Sequence, residues 1–306
     1  METKESLPKR LSLMNALATS LISSAHSGDE HQLSRILTEM EKIFDSAEMS
    51  AILNTKKNGS TIFHLDGSKI CGEECCVFLG YLFDFIFINE IYIDFAAKDA
   101  HGRTPLNHFI FHGCSNCAEK MLDIGATSSI NMEDNNHLTP LLYAAYNGDI
   151  SLFKFLIKNG AKPTKKDGID ELSLALNGRH NKISPQIVEF ILQNKEIFGD
   201  FSEKVYVEIY YGSGNNILHL MVICGATQYL DYLSMECIKK NINKMNHFKI
   251  TPIYLATKVY NSKTTPDDEY IDFIKKLIDL GADISIRSPY DYINYNTLRN
   301  ILDIKS

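Results

Sequence analysis

No tryptophan occurs in this chain of 306 residues. Nor is there an apolar run of bilayer length: the longest, Cys75 to Phe87, is cut by Asp84 and falls short of the ~20 residues a spanning helix needs. Basic charge is in deficit, with 31 Lys and Arg against 38 Asp and Glu. That balance argues against the clustered positive surface of a nucleic-acid binder. No export signal is legible, because Glu2 and Glu5 precede any apolar stretch, so the expectation is a soluble cytoplasmic protein. The cysteines number seven, and an odd count without an export signal speaks against a disulfide framework. Catalytic signatures are missing as well: there is no Gly-x-Ser-x-Gly, no phosphate-cradling Walker loop and no His-Glu-x-x-His. His64, His112 and Cys76 can be drawn as a cysteine–histidine pair, but no motif supports one. The expectation is therefore no catalytic residues and no cofactor.

What the chain does contain is one pattern written twice between Lys98 and Pro163. Thr104-Pro105 and Thr139-Pro140 lie about 35 residues apart, as do Gly125-Ala126 and Gly160-Ala161. In the second copy Thr139 is placed to cap a helix through its hydroxyl, and Pro140 follows where a missing N–H costs nothing. Leu141, Ala144 and Ala145 form a narrow apolar stripe, and Gly148 allows the left-handed turn that ends the helix. Ile150, Phe153, Leu156 and Ile157 then give the spacing of a second amphipathic helix. Two short helices cannot bury a core alone, which is why such units come in arrays.

With Thr-Pro-Leu at the helix start and Gly-Ala at the close, the stretch resembles the ankyrin repeat. The resemblance implies an all-α solenoid of about six helix-turn-helix repeats between terminal caps. On that reading residues 1–53 form an N-terminal helical cap, 54–285 the array, and 286–306 a C-terminal cap. Residues 11–48 read as one helical pair broken at Gly28-Asp29, and Thr61-Ile62-Phe63-His64 opens the next unit. Asp66-Gly67 replaces that unit's paired alanines, and Val77 to Phe87 reads as its second helix. Asp170 and Asn216 read as caps of later helices, Pro185 to Gln193 as a second helix, and Gly225 as a helix end. Insertions fall near 194–212, carrying Phe198, Phe201, Tyr206, Tyr210 and Tyr211, and near 260–270, where Pro266 and Asp267 suggest an exposed loop.

Ankyrin arrays bind proteins on a concave face of turn tips and first helices, so the resemblance implies a protein–protein interaction scaffold. Carried onto this chain, the tips are His101, Arg103, Glu133, Asn135 and His137, then Asn246, His247 and Lys249. The free helix positions are His108, Phe111, His112, Tyr143, Tyr146 and Asn147. His108, Phe111, Tyr143 and Tyr146 would make one aromatic and imidazole patch of the type that supplies binding hot spots. His64 and His219 occupy the repeat's own histidine position, where the family bonds backbone between turns.

Two other readings compete. Leu7-Pro8 with Leu11, Leu17 and Leu21 faintly resembles an F-box, which would make the chain a ubiquitin-ligase adaptor. Cys71, Cys75, Cys114 and Cys117 offer thiolates for a zinc site, although Gly72 and Gly113 fall on opposite sides of their nearest cysteines. No metal is therefore assigned. Abundant Ile, Asn, Lys, Phe and Tyr suggest an AT-rich genome, as in intracellular bacteria and large DNA viruses, whose ankyrin arrays are commonly host-directed effectors. The partner expected is a protein, with a host protein and host cytosol as one option. The chain is expected to be monomeric, without nucleic acid or membrane insertion.

Overall fold

The computed structural model describes residues 6–27, 29–57, 59–64, 73–164, 169–179, 182–199, 201, 214–262, 268–286, 297–298 and 301, with the backbone alone at 6, 7, 26 and 73–78. Among these residues the chain is mostly helical, with no strand beyond an isolated bridge between Lys57 and Ser60. It divides into two compact units, Met1–Lys162 and Pro163–Ser306.

The first unit opens with α1 (Ser6–Ser27), α2 (Glu30–Ile43) and α3 (Ser46–Leu53). Asp29 caps α2 by accepting a hydrogen bond from the Gln32 N–H, so the break falls where Gly28-Asp29 predicts it. The third helix was not expected. Asp45 and Glu48 start it with a capping box, each side chain accepting from the other residue's backbone N–H. Leu21, Ala25, Leu33, Met40 and Leu53 are almost wholly buried in these three helices. Arg10 ties α1 to α3 through Glu48, at 2.6 Å from Nε and 2.7 Å from Nη2. Its hydrogen bond holds the Glu48 carboxyl below its ordinary range.

Next come α4 (Glu73–Ile88), α5 (Pro105–His112), α6 (Ser115–Asp123), α7 (Pro140–Asn147) and α8 (Ile150–Lys158). Thr104 and Thr139 accept from the N–H groups of Asn107 and Leu142, and Gly113 and Gly148 close α5 and α7 with left-handed backbone. Leu141, Ala144 and Ala145 are buried as the stripe predicts. The small alanines let α7 lie against both α5 and α8. Phe153 is wholly buried, a burial of about 2–3 kcal/mol. After Gly125 the chain makes a 3-10 turn, Ala126–Ser129, that the sequence pattern did not announce.

The second unit holds α9 (Glu171–Leu176), α10 (Pro185–Gln193), α11 (Lys195–Phe198), α12 (Ile217–Cys224), α13 (Met235–Asn241), α14 (Pro252–Ser262) and α15 (Asp268–Asp279). Asp170 and Asn216 cap α9 and α12 as their sequence positions predict, and Gly225 closes α12. A 3-10 helix at Thr227–Tyr232 buries Tyr229 and Leu230. Phe198 and Phe201 are buried, and Phe198 meets Phe190 edge to face at 6.2 Å, so these two insertion aromatics serve the core. Asp66, Gly67, Cys71, Tyr206, Tyr210, Tyr211, Pro266, Asp267 and most of the 286–306 tail lie outside the described residues, as do the side chains of Cys75 and Cys76.

One asparagine device recurs in both units. Asn54 donates from Nδ2 to the Tyr92 carbonyl (3.0 Å) and accepts at Oδ1 from the Asp94 N–H (2.7 Å). Asn131 does the same with the Gly160 carbonyl (3.1 Å) and the Lys162 N–H (2.8 Å). Asn243 repeats it with the Gly281 carbonyl (3.2 Å) and the Asp283 N–H (2.8 Å). Each amide thus pairs two backbone groups in the loop after a later helix, groups that the loop cannot pair by itself. The clasp fixes one turn against the next.

Candidate functional site: hairpin turns and the helix faces beside them

Three turns between helix pairs share one construction. Asp99 accepts at Oδ1 from the N–H groups of His101 (2.8 Å) and Arg103 (2.9 Å). Asp134 accepts likewise from Asn136 and Leu138, both at 2.8 Å. Asn246 accepts from Phe248 (3.0 Å) and Ile250 (3.1 Å). Three residues beyond each, the backbone turns left-handed, at Gly102 (φ 74°), His137 (63°) and Lys249 (60°). Gly102 has a further reason to lack a side chain: a Cβ there would lie 2.8 Å from the Asn135 nitrogen, which donates to the His101 carbonyl at 3.0 Å. Adjacent tips are therefore in direct contact.

The outer atom of each hinge residue finds a different partner. Asp99 Oδ2 meets Arg103 Nε at 3.2 Å and lies 3.7 Å from His108 Nδ1. Burial alone would raise the Asp99 carboxyl, but the nearby His108 ring, the hydrogen bond from the Arg103 backbone and the guanidinium charge hold it far below the usual carboxylate range. Asp134 Oδ2 accepts from the Tyr143 hydroxyl, and burial together with that bond pushes the phenol above its ordinary range. Asn246 Nδ2 donates to Asn215 Oδ1 at 3.0 Å.

Two histidines join successive turns. His64 Nε2 donates to the Arg103 carbonyl (3.0 Å), while Nδ1 accepts from the Thr61 N–H (3.2 Å). His219 Nε2 donates to the Ile250 carbonyl (2.8 Å), and Nδ1 accepts from the Asn216 N–H (3.3 Å). Burial lowers both rings to a pKa of about 4. They are neutral at pH 7 with both nitrogens occupied, which suits a structural bridge and leaves no lone pair for a metal or a base.

The residues singled out from the sequence divide into three groups by exposure. His101, Asn135, His137, His247, Lys249 and Phe111 are exposed, while Arg103, His112, Glu133, Tyr146 and Asn147 are half-buried. His108, Tyr143 and Asn246 are buried, at 6%, 4% and 5% exposure. Tyr143 spends its hydroxyl on Asp134 and packs its ring against Phe111 at 5.6 Å, and Asn147 donates to the Ile110 carbonyl. The expected four-residue patch is thus corrected: Phe111 is exposed and Tyr146 half-buried, while His108 and Tyr143 are buried, with Tyr143 packed against Phe111. Glu133 Oε2 meets His137 Nδ1 at 2.9 Å on the open side of its tip.

Sequence reasoning missed Asn54, Asn131, Asp134 and Asn243. The spacing common to Asn131-Asp134 and Asn243-Asn246 was the available signal. The expectation that spoke against disulfides is corrected at one cysteine. Cys114 is disulfide-bonded and so is no free thiolate for zinc. Among the described residues no group of three or more His, Cys, Asp and Glu is arranged to hold a metal ion. Burial pushes the Cys224 thiol up to about 12, the opposite of an activated nucleophile.

Beside these turns in the first unit a pocket of about 320 Å³ opens between His64 and α5, and its lining includes His64, Asp99, His101, Arg103, His108, Phe111 and His112.

Paired helices joined by left-handed turns, each turn tied to the next by side-chain bridges to backbone, define a helical-repeat protein. Residues 73–167 match the model of a family described as ankyrin repeats, in three copies. That family's repeats generally mediate protein–protein interaction. No helix among the described residues is long and apolar enough to cross a membrane.

Proposed function

We propose that this chain is a binding scaffold that holds a partner protein on the hairpin tips and first-helix faces of its first unit. The observation that carries this reading is a division of labour among neighbouring residues. The side chains of Asp99, Asp134, His64 and Tyr143 are buried and consumed by backbone and side-chain bonds, whereas His101, Asn135, His137 and Phe111 stand exposed on the same turns and helix. Such free positions, aromatic and polar together, are what a partner reads.

Helices start just after Thr104, Thr139, Asp170, Asn216 and Thr251, and with the turn at Thr61 these starts support about six repeats along the chain. The N-terminal helices support a capping role over ligase docking. Ser46 Oγ donates to the Asn89 carbonyl (3.0 Å) and Ser50 Oγ to the Tyr92 carbonyl (2.6 Å), so α3 is bonded into the first unit. A catalytic role draws no support from the neutral, fully bonded His64 and His219 or the raised Cys224 thiol. The composition keeps a host protein as one source for the partner.

The test is capture from eukaryotic cell lysate by wild type and by Phe111→Ala/Tyr146→Ala, both checked by circular dichroism. A partner held by the wild type and lost by the folded double variant is the expected result. Equal capture by both removes function from this face.

A further inference from the structure

We infer that the pocket beside Arg103 is a receptor for a carboxylate side chain, Glu or Asp, of an acidic segment in the bound partner. The inference rests on the proposed function and assigns the chemistry of one subsite on that face.

Arg103 is held on three sides. Its side chain is only 12% exposed. Nε is committed to Asp99 Oδ2 at 3.2 Å, and the guanidinium lies 4.8 Å over the Phe111 ring. Its own carbonyl is clamped by His64. Neither terminal Nη group has a hydrogen-bond partner among the described residues, and the residue lines the pocket. A guanidinium fixed in this way loses little entropy on binding, and its remaining N–H fork matches the two oxygens of a carboxylate.

Charge selects the monoanion. The Arg103 charge is already balanced by the buried Asp99 carboxylate. His64 is neutral above a pKa of about 4 and cannot add a compensating charge at pH 7. A carboxylate therefore adds one negative charge to a neutral pair, where a phosphoryl dianion would add two. Phe111, 38% exposed and edge-on to His112 at 4.9 Å, offers an apolar wall for the methylene stem that carries the carboxylate. A volume of about 320 Å³ accommodates one such side chain.

The probe is propionate, the end of a glutamate side chain, titrated into the isotope-labelled full chain and followed by NMR at Arg103 Nε–H and the Phe111 and His112 rings. The uncharged isostere propionamide and inorganic phosphate are the comparison ligands. Saturable shifts at these three residues are expected with propionate, with at least about tenfold weaker binding of propionamide, the ratio a charge-assisted bidentate contact confers. Arg103→Lys keeps a cation for Asp99 but removes the fork; read at Phe111 and His112, it should weaken propionate by about tenfold. Equal response to propionate and propionamide, tighter binding of phosphate, an undiminished response in Arg103→Lys, or no response to any probe overturns the assignment. Any of these with partner capture still sensitive to Phe111→Ala/Tyr146→Ala removes the pocket's role alone. Insensitive capture removes the face itself.

Discussion

The turn that receives His64 and the turn that receives His219 are built alike and finished differently. Both histidines donate to a carbonyl of a following turn, at Arg103 and Ile250. Both turns hang on a buried hinge side chain, that of Asp99 or Asn246, which accepts from two N–H groups. At matching offsets from the hinge, however, His101, Arg103 and His108 in the first unit stand where the second has Phe248, Ile250 and Leu255. The first turn borders a polar pocket, and the second exposes Phe248 at 55%. Residues that satisfy backbone are repeated because backbone demands are repeated. Residues that do not are free to differ, and there a partner can be chosen.

The largest test of the shared half is pH. Both rings have folded pKa values of about 4, below the ordinary 6.5, so the unfolded chain binds protons that the folded chain refuses. Their contribution is complete above about pH 6.5 and is lost as pH falls toward 4, at most roughly 3 kcal/mol for each ring. Urea midpoints between pH 7 and 4.5 should fall accordingly, and His64→Gln or His219→Gln should each flatten the decline. If neither substitution changes the slope, the rings are not the titrating bridges.

Removing the rings outright should separate the two sites. His219 is wholly buried, so His219→Leu leaves the Ile250 carbonyl with the Asn246 N–H alone and strips the Asn216 N–H of its ring acceptor, at a cost of about 3 kcal/mol. His64 borders the pocket, where water can replace it, and His64→Leu should cost about half as much. Equal losses in urea unfolding would show that the pocket does not hydrate the first bridge.

The hinge residues allow a finer comparison. Asn246→Asp would turn an oxygen toward Asn215 Oδ1, where Nδ2 now donates at 3.0 Å, and bury two acceptors together. A cost of about 2 kcal/mol is expected in urea unfolding. Asp134→Asn can still pair with the Tyr143 hydroxyl and should cost less than about 1 kcal/mol. The reverse order would refute the partner assignments at the outer atoms.

These contrasts also mark how far the sequence could be read. Helix starts at Thr104, Thr139, Asp170 and Asn216 and ends at Gly148 and Gly225 were legible because caps act within a few residues of chain. The third N-terminal helix was missed although its start signal, the capping box of Asp45 and Glu48, lies within 11–48. The Asn54, Asn131 and Asn243 clasps were missed for another reason: each reaches 29 to 40 residues ahead, and a polar residue in a loop looks solvated until its distant partner is known. Tyr143 failed on periodicity. It lies on the helix side predicted to be free, yet the turn before its own helix folds Asp134 over it.

The smallest expected effect separates stability from binding at one position. Gly102, His137 and Lys249 occupy the same left-handed place in their turns, but only the first is glycine. A side chain there costs about 1–2 kcal/mol of backbone strain, partly offset in the unfolded chain because glycine loses more entropy on folding. His137→Gly should therefore stabilise the protein by up to about 1 kcal/mol, seen as a melting temperature higher by a few degrees. The exposed contact with Glu133, lost in the exchange, is worth less than that at a surface site. If His137 is retained for what it presents, the same variant should hold the captured partner more weakly. A variant that melts lower, or binds unchanged, would mean that the ring serves the turn and not the partner.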